Sequence, residues 1–196
     1  MKLVLASGNA GKLAEIRAVL ADSGIALAAQ SDFGIADAEE TATTFVENAL
    51  IKARHASRLS GLPALGDDSG ICVDALGGAP GLLSARYAGE HGNAQANIAK
   101  LLAALRDVPD AQRNAHFHCT LVLLRSADDP APVIAEGRWH GRILHAPQGD
   151  KGFGYDPIFA CHAHGPAGEL DAAIKNRVSH RGVALARLRQ LLAARF

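Results

Sequence analysis

The opening stretch, KLVLASGNAGKLAEI, constrains the fold more than any other part of the chain. Lys2 to Ser7 is almost wholly apolar, the pattern of a strand covered on both faces. Gly8 and Gly11 punctuate a turn, after which Leu13, Ile16 and Leu20 recur at helical spacing until Gly24 stops the pattern. A buried strand that turns tightly into a helix is the start of an α/β fold.

The rest of the chain keeps to that plan. IALAAQ predicts a weak second strand, and Thr44 with Glu47 forms a capping box opening the helix FVENALIKARHASRL, closed near Gly61. PALGDDSGICVDAL predicts a short extended piece broken by its glycines, and GGAPG a turn. NAQANIAKLLAALRDV predicts an Ala/Leu-rich helix. AHFHCTLVLLR and PVIAEGRW predict two strands joined by the polar SADDPA, and HAPQGDKGFGYDPIFA a glycine-bearing loop running into a strand. The final helix is expected over RGVALARLRQLLAARF, with Ser179 as its cap. Early alternation and a late hairpin fit an α/β protein with a mixed sheet and flanking helices. No linker interrupts it, so residues 1–196 are expected to form a single α/β domain.

Composition excludes several classes of function. Twenty basic and twenty acidic side chains cancel, whereas a general nucleic-acid binder carries a basic excess. A small, multiply charged ligand needs only a local basic pocket. Cys72, Cys119 and Cys161 form no CxxC pair, so neither a disulfide framework nor a zinc knuckle is indicated. MKLVLASGN reaches glycine and asparagine before any signal-peptide core, and no apolar run approaches a membrane span. A cytoplasmic protein without membrane or nucleic-acid partners is expected. Only six basic residues are lysine: Lys2, Lys12, Lys52, Lys100, Lys151 and Lys175. In a chain that favours arginine, those six mark places where a compact ammonium is wanted.

Several stretches carry candidate chemistry. SGNAGK lacks the spacing of a P-loop, which needs four residues between its glycines and a Ser/Thr after the lysine. It is either another kind of phosphate cradle at a helix N-terminus or an ordinary glycine turn. In AEETATTFVENALIKA, Asn48 and Lys52 share a helix face. They could meet a phosphate, or Lys52 could be a surface residue and Glu39 and Glu40 solvated. GDDSG places Asp67 and Asp68 among apolar residues, on opposite sides if the segment is extended. One of them, with a carboxylate such as Glu40, would offer Mg²⁺ the two oxygens it takes beside substrate phosphates; an acidic turn is the other reading. GFGYDP offers aromatic faces for a purine, or core plugs. KNRVSHRG gathers Lys175, Arg177, His180 and Arg181 where a base carbonyl or a phosphate would suit them. His116 with His118, and Cys161 with His162 and His164, supply no complete ligand set at a known metal spacing.

In this order, LASGNAGKLAEI, ETATTFVENALIKA, DDSGICVDALGGAPGLLSARYAG, GFGYDPIF and SHRGVAL closely resemble the inosine/xanthosine triphosphate pyrophosphatase family. The similarity runs from Leu3 to the last helix. The resemblance implies an α/β fold with two lobes around a central cleft and a homodimer. It further implies Mg²⁺-dependent hydrolysis of ITP, dITP and XTP to the monophosphate and pyrophosphate. By the same resemblance Ser7, Gly8, Asn9, Ala10, Gly11 and Lys12 form the phosphate-binding turn, aided by Lys52. Glu40 and Asp68 hold the metal, and Asp68 also matches the proton acceptor. Ser69 matches a substrate contact. Phe153, Gly154, Tyr155, Asp156, Lys175, His180 and Arg181 match the remainder of the nucleotide site. One departure is that Ala173 and Ile174 stand where relatives tend to carry acidic residues.

Base choice has a physical basis: a donor from Arg181 or His180 meets the 6-carbonyl of hypoxanthine or xanthine and finds no acceptor in the 6-amino group of adenine. Rival readings are a Maf-like pyrophosphatase, whose opening loop typically reads Ser-Pro-Arg, and a nucleotide-binding module without turnover. The second has no use for a water-activating carboxylate in GDDSG.

Overall fold

The computed structural model describes residues 2–21 and 24–193. Its strands are β1 (Lys2–Ala6), β2 (Ala26–Ala29), β3 (Ala64–Val73), β4 (Asn114–Leu124), β5 (Val133–Ile143), β6 (Phe159–Cys161) and β7 (Gly165–Pro166). Its α-helices are α1 (Ala10–Leu20), α2 (Phe45–Ser60), α3 (Ala94–Ala104), α4 (Ala172–Val178) and α5 (His180–Ala193). The strands form one mixed seven-stranded sheet in the order β2-β1-β3-β4-β5-β6-β7. β1 pairs in parallel with β2 and β3, while β5–β6 and β6–β7 are antiparallel. The chain divides into two compact units, Met1–Asp68 with Cys119–Gly137 and Arg181–Phe196, and Ser69–His118 with Arg138–His180.

In the first unit β1 is covered on both faces, as its unbroken apolar run requires. Leu3 and Leu5 pack with Ile16 and Leu20 of α1 and Leu185 and Leu188 of α5, while Val4 and Ala6 pack with Ala56 of α2. Local chemistry sets the ends of α2. Thr44 accepts a hydrogen bond from the Glu47 N–H at 3.3 Å, and Gly61, at φ 68°, closes the helix in the left-handed conformation. Small residues on the buried side of α2, Ala49 and Ala53, let it lie directly on the backbone of β3. A methyl group added at Gly66 would stand 2.0 Å from the Ala49 carbonyl oxygen.

That close approach corrects the sequence expectation for this segment. β3 is a continuous ten-residue strand, running through both glycines that mark it as broken. Gly70 likewise faces the Gly81 carbonyl, 2.2 Å from where a methyl group would sit. These glycines make room; they do not interrupt.

The second unit has its own core, built on Ile71, Leu101, Phe117, Trp139, Ile143 and Phe159. Buried Arg113 donates to the carbonyls of Leu105, Ile143 and Leu144 at 2.6, 2.9 and 3.0 Å. Along β5 every second residue is buried, the period-two signature of a strand with one wet face. The end of the chain also differs from expectation. The short helix α4 is not anticipated from sequence: Ser179 closes it, its N–H bonded to the Lys175 carbonyl at 2.9 Å. Ser179 stands in extended backbone directly before α5, which starts at His180, the place expected of a cap. The last three positions of the expected helix lie outside the described residues.

Candidate active site

The first unit holds most of the charged candidates, just past the carboxyl end of β1 and along the middle of β3. Register pairs Ala6 with Gly66, so Ser7 leaves the sheet where Asp67 continues along β3. The chain crosses from β1 to β2 on one side and returns to β3 on the other, which makes this the switch point at which open α/β sheets bind ligands. The exposed turn at 8–10 then feeds α1. Asn9 caps that helix, its Oδ1 accepting from the Lys12 N–H at 3.0 Å, while its own N–H donates to Ser7 Oγ at 3.2 Å. Two of the four N-terminal amides, those of Asn9 and Lys12, are thereby occupied by side chains; the helix dipole at this end favours an anion. A methyl group at Gly8 would stand 2.9 Å from Asp37 Oδ2, so that carboxylate would have to shift to admit it.

Adjacent aspartates on β3 have separate partners. Asp67 is fully buried, with Oδ1 2.7 Å from Lys12 Nζ and Oδ2 2.7 Å from Arg181 Nε. Arg181 also pairs with Glu15 of α1. Burial alone would push the Asp67 carboxyl up, but Arg181 and then Lys12 hold it well below the usual carboxylate range. Arg181 is itself shifted upward: desolvation opposes its charge, and Asp67, Cys119 and Glu15 together outweigh it. The Cys119 thiol lies 3.7 Å from Asp67 Oδ2, and burial together with that carboxylate pushes it well up.

Asp68 instead faces Lys52 and Glu40. Lys52 Nζ donates to Asp68 Oδ1 at 2.6 Å and to Glu40 Oε1 at 3.0 Å. Burial raises the Asp68 carboxyl, and Lys52 only partly offsets it. Lys52 is also raised, because Asp68 and Glu40 outweigh its desolvation. Helical spacing positions the lysine: Asn48, one turn before it, is buried on the same face and bridges to Ala42 N–H and C=O. The result is a carboxylate with an elevated proton affinity beside an ammonium, suited to taking a proton from an attacking water.

The second unit holds the candidates for the base. Asp156 Oδ2 accepts from the Phe153 N–H at 2.7 Å and from Lys175 Nζ at 2.6 Å, and the Lys175 ammonium stands 4.7 Å from the Phe153 ring centroid. Gly152, at φ 79°, permits this turn: a methyl group there would meet Asp156 Oδ2 at 2.2 Å. Gly154, at φ 61°, completes it. Phe153 is half-buried, whereas Tyr155 is a core residue whose hydroxyl donates to the Ser84 carbonyl at 2.9 Å and whose phenol burial pushes up. Ser69 follows Asp68 on β3, half-buried. Lys175 sits on the regular helix α4 although Ala173 and Ile174 precede it. His180 is buried against Phe117 and Trp139.

Thus Ser7 to Lys12, Glu40, Lys52, Asp68 and Arg181 belong to the first unit, and Ser69, Phe153 to Asp156, Lys175 and His180 to the second. Arg181 is ion-paired with Asp67 and Glu15. Sequence reasoning missed Glu15, Asp37, Phe117 and Trp139. Glu15 lies three residues after Lys12 on the same helix, a spacing that does signal a shared face. The other three reach their places only through non-local pairing.

The Ham1 family model matches residues 3–191. The chain is 61% identical over 193 residues to the dITP/XTP pyrophosphatase of Xanthomonas campestris pv. campestris (strain 8004), covering 98% of this chain and 97% of that protein. It is 55% identical over 188 residues to the dITP/XTP pyrophosphatase of Vibrio cholerae serotype O1, covering 95% and 94% respectively. Among solved structures, a HAM1 protein from Coxiella burnetii has a TM-score of 0.90 at 48% identity, with 99% of each chain covered. A dITP/XTP pyrophosphatase from Mycobacterium abscessus has a TM-score of 0.74 at 45% identity, covering 98% of this chain and 100% of that one.

Proposed function

Because the chain belongs to the Ham1 family, we propose that it hydrolyses non-standard purine nucleoside triphosphates, ITP, dITP and XTP, to the monophosphate and pyrophosphate. The relatives named dITP/XTP pyrophosphatase support this reading over the Maf-like one. The observation that carries it is the Lys52 ammonium bonded to both Asp68 and Glu40, where β3 continues past the end of β1.

Each part of the reaction then has a residue. The turn from Ser7 to Lys12 receives the phosphates on backbone N–H groups at the α1 N-terminus. Lys52 and Lys12 set positive charge against the departing pyrophosphate. Asp68 orients the attacking water and takes its proton, a contribution of about 10²–10⁴-fold, with electrostatic positioning supplying the larger share. Asp67 acts differently, since its oxygens are engaged by Lys12 and Arg181 and hold the cradle in place.

The donor set fits Mg²⁺. Asp68 and Glu40 place two hard carboxylate oxygens at one locus. Among the described residues no larger cluster of His, Cys, Asp or Glu is arranged to cage an ion, and Mg²⁺ takes one or two carboxylates plus substrate phosphates. Bound there, the ion supplies charge against the phosphate oxygens and lowers the pKa of a water.

Phe153, Lys175 and His180 address the base. A buried donor satisfied by a 6-carbonyl and orphaned by a 6-amino group costs about 1–3 kcal/mol against ATP. Arg181, whose Nη1 and Nε pair with Glu15 and Asp67, and His180 are the two donors that can meet the 6-carbonyl.

The test incubates purified protein and Mg²⁺ with ITP, XTP, dITP, GTP, ATP and TTP and identifies the products. IMP, XMP or dIMP with pyrophosphate is expected, little from ATP, GTP or TTP, and loss of turnover on chelation. Orthophosphate as the product, or preference for TTP, overturns the proposal. The same reading carries a homodimer, which sedimentation of the purified chain tests, and a cytoplasmic location, which fractionation of its host tests.

A further inference from the structure

His180 lies in an aromatic wall. Its imidazole is nearly parallel to the Phe117 ring, with centroids 4.8 Å apart and planes 11° apart. Trp139 is nearly parallel to the same imidazole at 6.4 Å and 17°, and to Phe117 at 6.1 Å and 25°. Phe159 meets Phe117 edge-on at 4.8 Å and 69°. The rings come from β4, β5, β6 and α5, and Phe117, Trp139 and His180 are 8%, 5% and 6% exposed. Filling a core needs only apolar volume. Parallel rings laid on an imidazole face do more, because the histidine χ2 torsion is otherwise broad. Turning this imidazole over requires swinging it through the Phe117 ring.

We propose that Phe117, backed by Trp139, is a positioning residue that fixes the His180 imidazole in the orientation donating to the 6-oxygen of a 6-oxopurine, and so sets base selectivity. The inference rests on the pyrophosphatase reading above. A neutral imidazole carries one donor and one acceptor nitrogen. Held fixed, in the tautomer with its proton on the nitrogen facing the base, it presents that donor without reorganisation. Loosened, it can turn its acceptor towards the 6-amino group of adenine, and the distinction between the two bases shrinks.

The experiment measures pyrophosphate release from ITP and from ATP by the wild type, Phe117→Leu, Phe117→Tyr and Trp139→Leu, with the thermal midpoint of each. The ratio of the two kcat/KM values in one preparation is independent of the fraction folded, so a merely weakened core leaves it unchanged. The ITP-to-ATP ratio is expected to fall about tenfold in Phe117→Leu, equivalent to about 1.4 kcal/mol. It is expected to fall less in Trp139→Leu and to be retained in Phe117→Tyr, which keeps the parallel ring. An unchanged ratio in Phe117→Leu overturns the inference, whatever the midpoint does. Should that variant not fold, an unchanged ratio in Trp139→Leu overturns it. Failure of the underlying function is read separately, as absence of pyrophosphate release from ITP by the wild type.

Discussion

Replacing Asp67 by asparagine removes the carboxylate that two cations share. Lys12 Nζ and Arg181 Nε each lie 2.7 Å from it, and Arg181 is only 2% exposed. The amide preserves shape but removes the negative charge from Arg181 Nε and Lys12 Nζ, leaving Arg181 its ion pair with Glu15. Breaking a buried pair by removing one member costs about 3–5 kcal/mol. Glu15 still balances Arg181, and the Lys12 side chain is 14% exposed, so the lower end, about 3 kcal/mol, is expected. At about 2–4 °C per kcal/mol for a chain of this size, the midpoint should fall by about 6–12 °C. The pH dependence has a definite sign. Asp67 is depressed below the ordinary carboxylate value of 3.8, so its stabilisation is complete above that value and lost as pH falls through the folded one. The gap between wild type and Asp67→Asn should stay flat from about pH 5 to 8 and close only in stronger acid. Urea unfolding at several pH values, with m compared between the proteins, measures it. A loss under about 1 kcal/mol refutes the reasoning, as does a gap that widens on acidification.

Asp68→Asn should reduce turnover at least 10²-fold, to the order of magnitude expected for loss of a general base, while circular dichroism and ITP binding persist. Lys52→Met should move the acid limb of the kcat/KM profile to higher pH. Lys52 is the main influence lowering the Asp68 carboxyl, and activity declines as pH falls through that carboxyl's raised value. An acid limb that stays put or moves down excludes Asp68 as its source. Gly66→Ala should lower stability by about 1–3 kcal/mol or more, as overpacking does, because its methyl group would stand 2.0 Å from the Ala49 carbonyl on α2; thermal unfolding reads it.

The elements legible in the sequence are those whose causes are local. Thr44 and Glu47 announce α2, whose cap Thr44 accepts from the Glu47 N–H. β3 is misread from sequence because Gly66 and Gly70 answer to carbonyls on distant segments, Ala49 and Gly81. The short helix α4 is hidden for a related reason: its Lys175 is bound by Asp156, nineteen positions earlier. In the site, residue types and order point to Lys12, Lys52 and Asp68. The division of labour between the two aspartates becomes legible only with their partners in view, since a side chain's face on a strand does not tell which cation awaits it. Arg181 shows the same limit: next to His180 in sequence, it serves a different unit.

Cys119 turns the buried ion network into something that can be timed. Its thiol is fully buried, bonded to Asp67 and shifted away from the thiolate that alkylating reagents attack. Labelling must therefore wait for a local opening that parts β4 from the Asp67 cluster. With closing fast, the labelling rate counts how often that happens, as hydrogen exchange does for an amide. Half-buried Cys72 supplies the faster reference in the same molecule. The chain thus carries, without any engineered probe, a clock for the integrity of its own charge cradle.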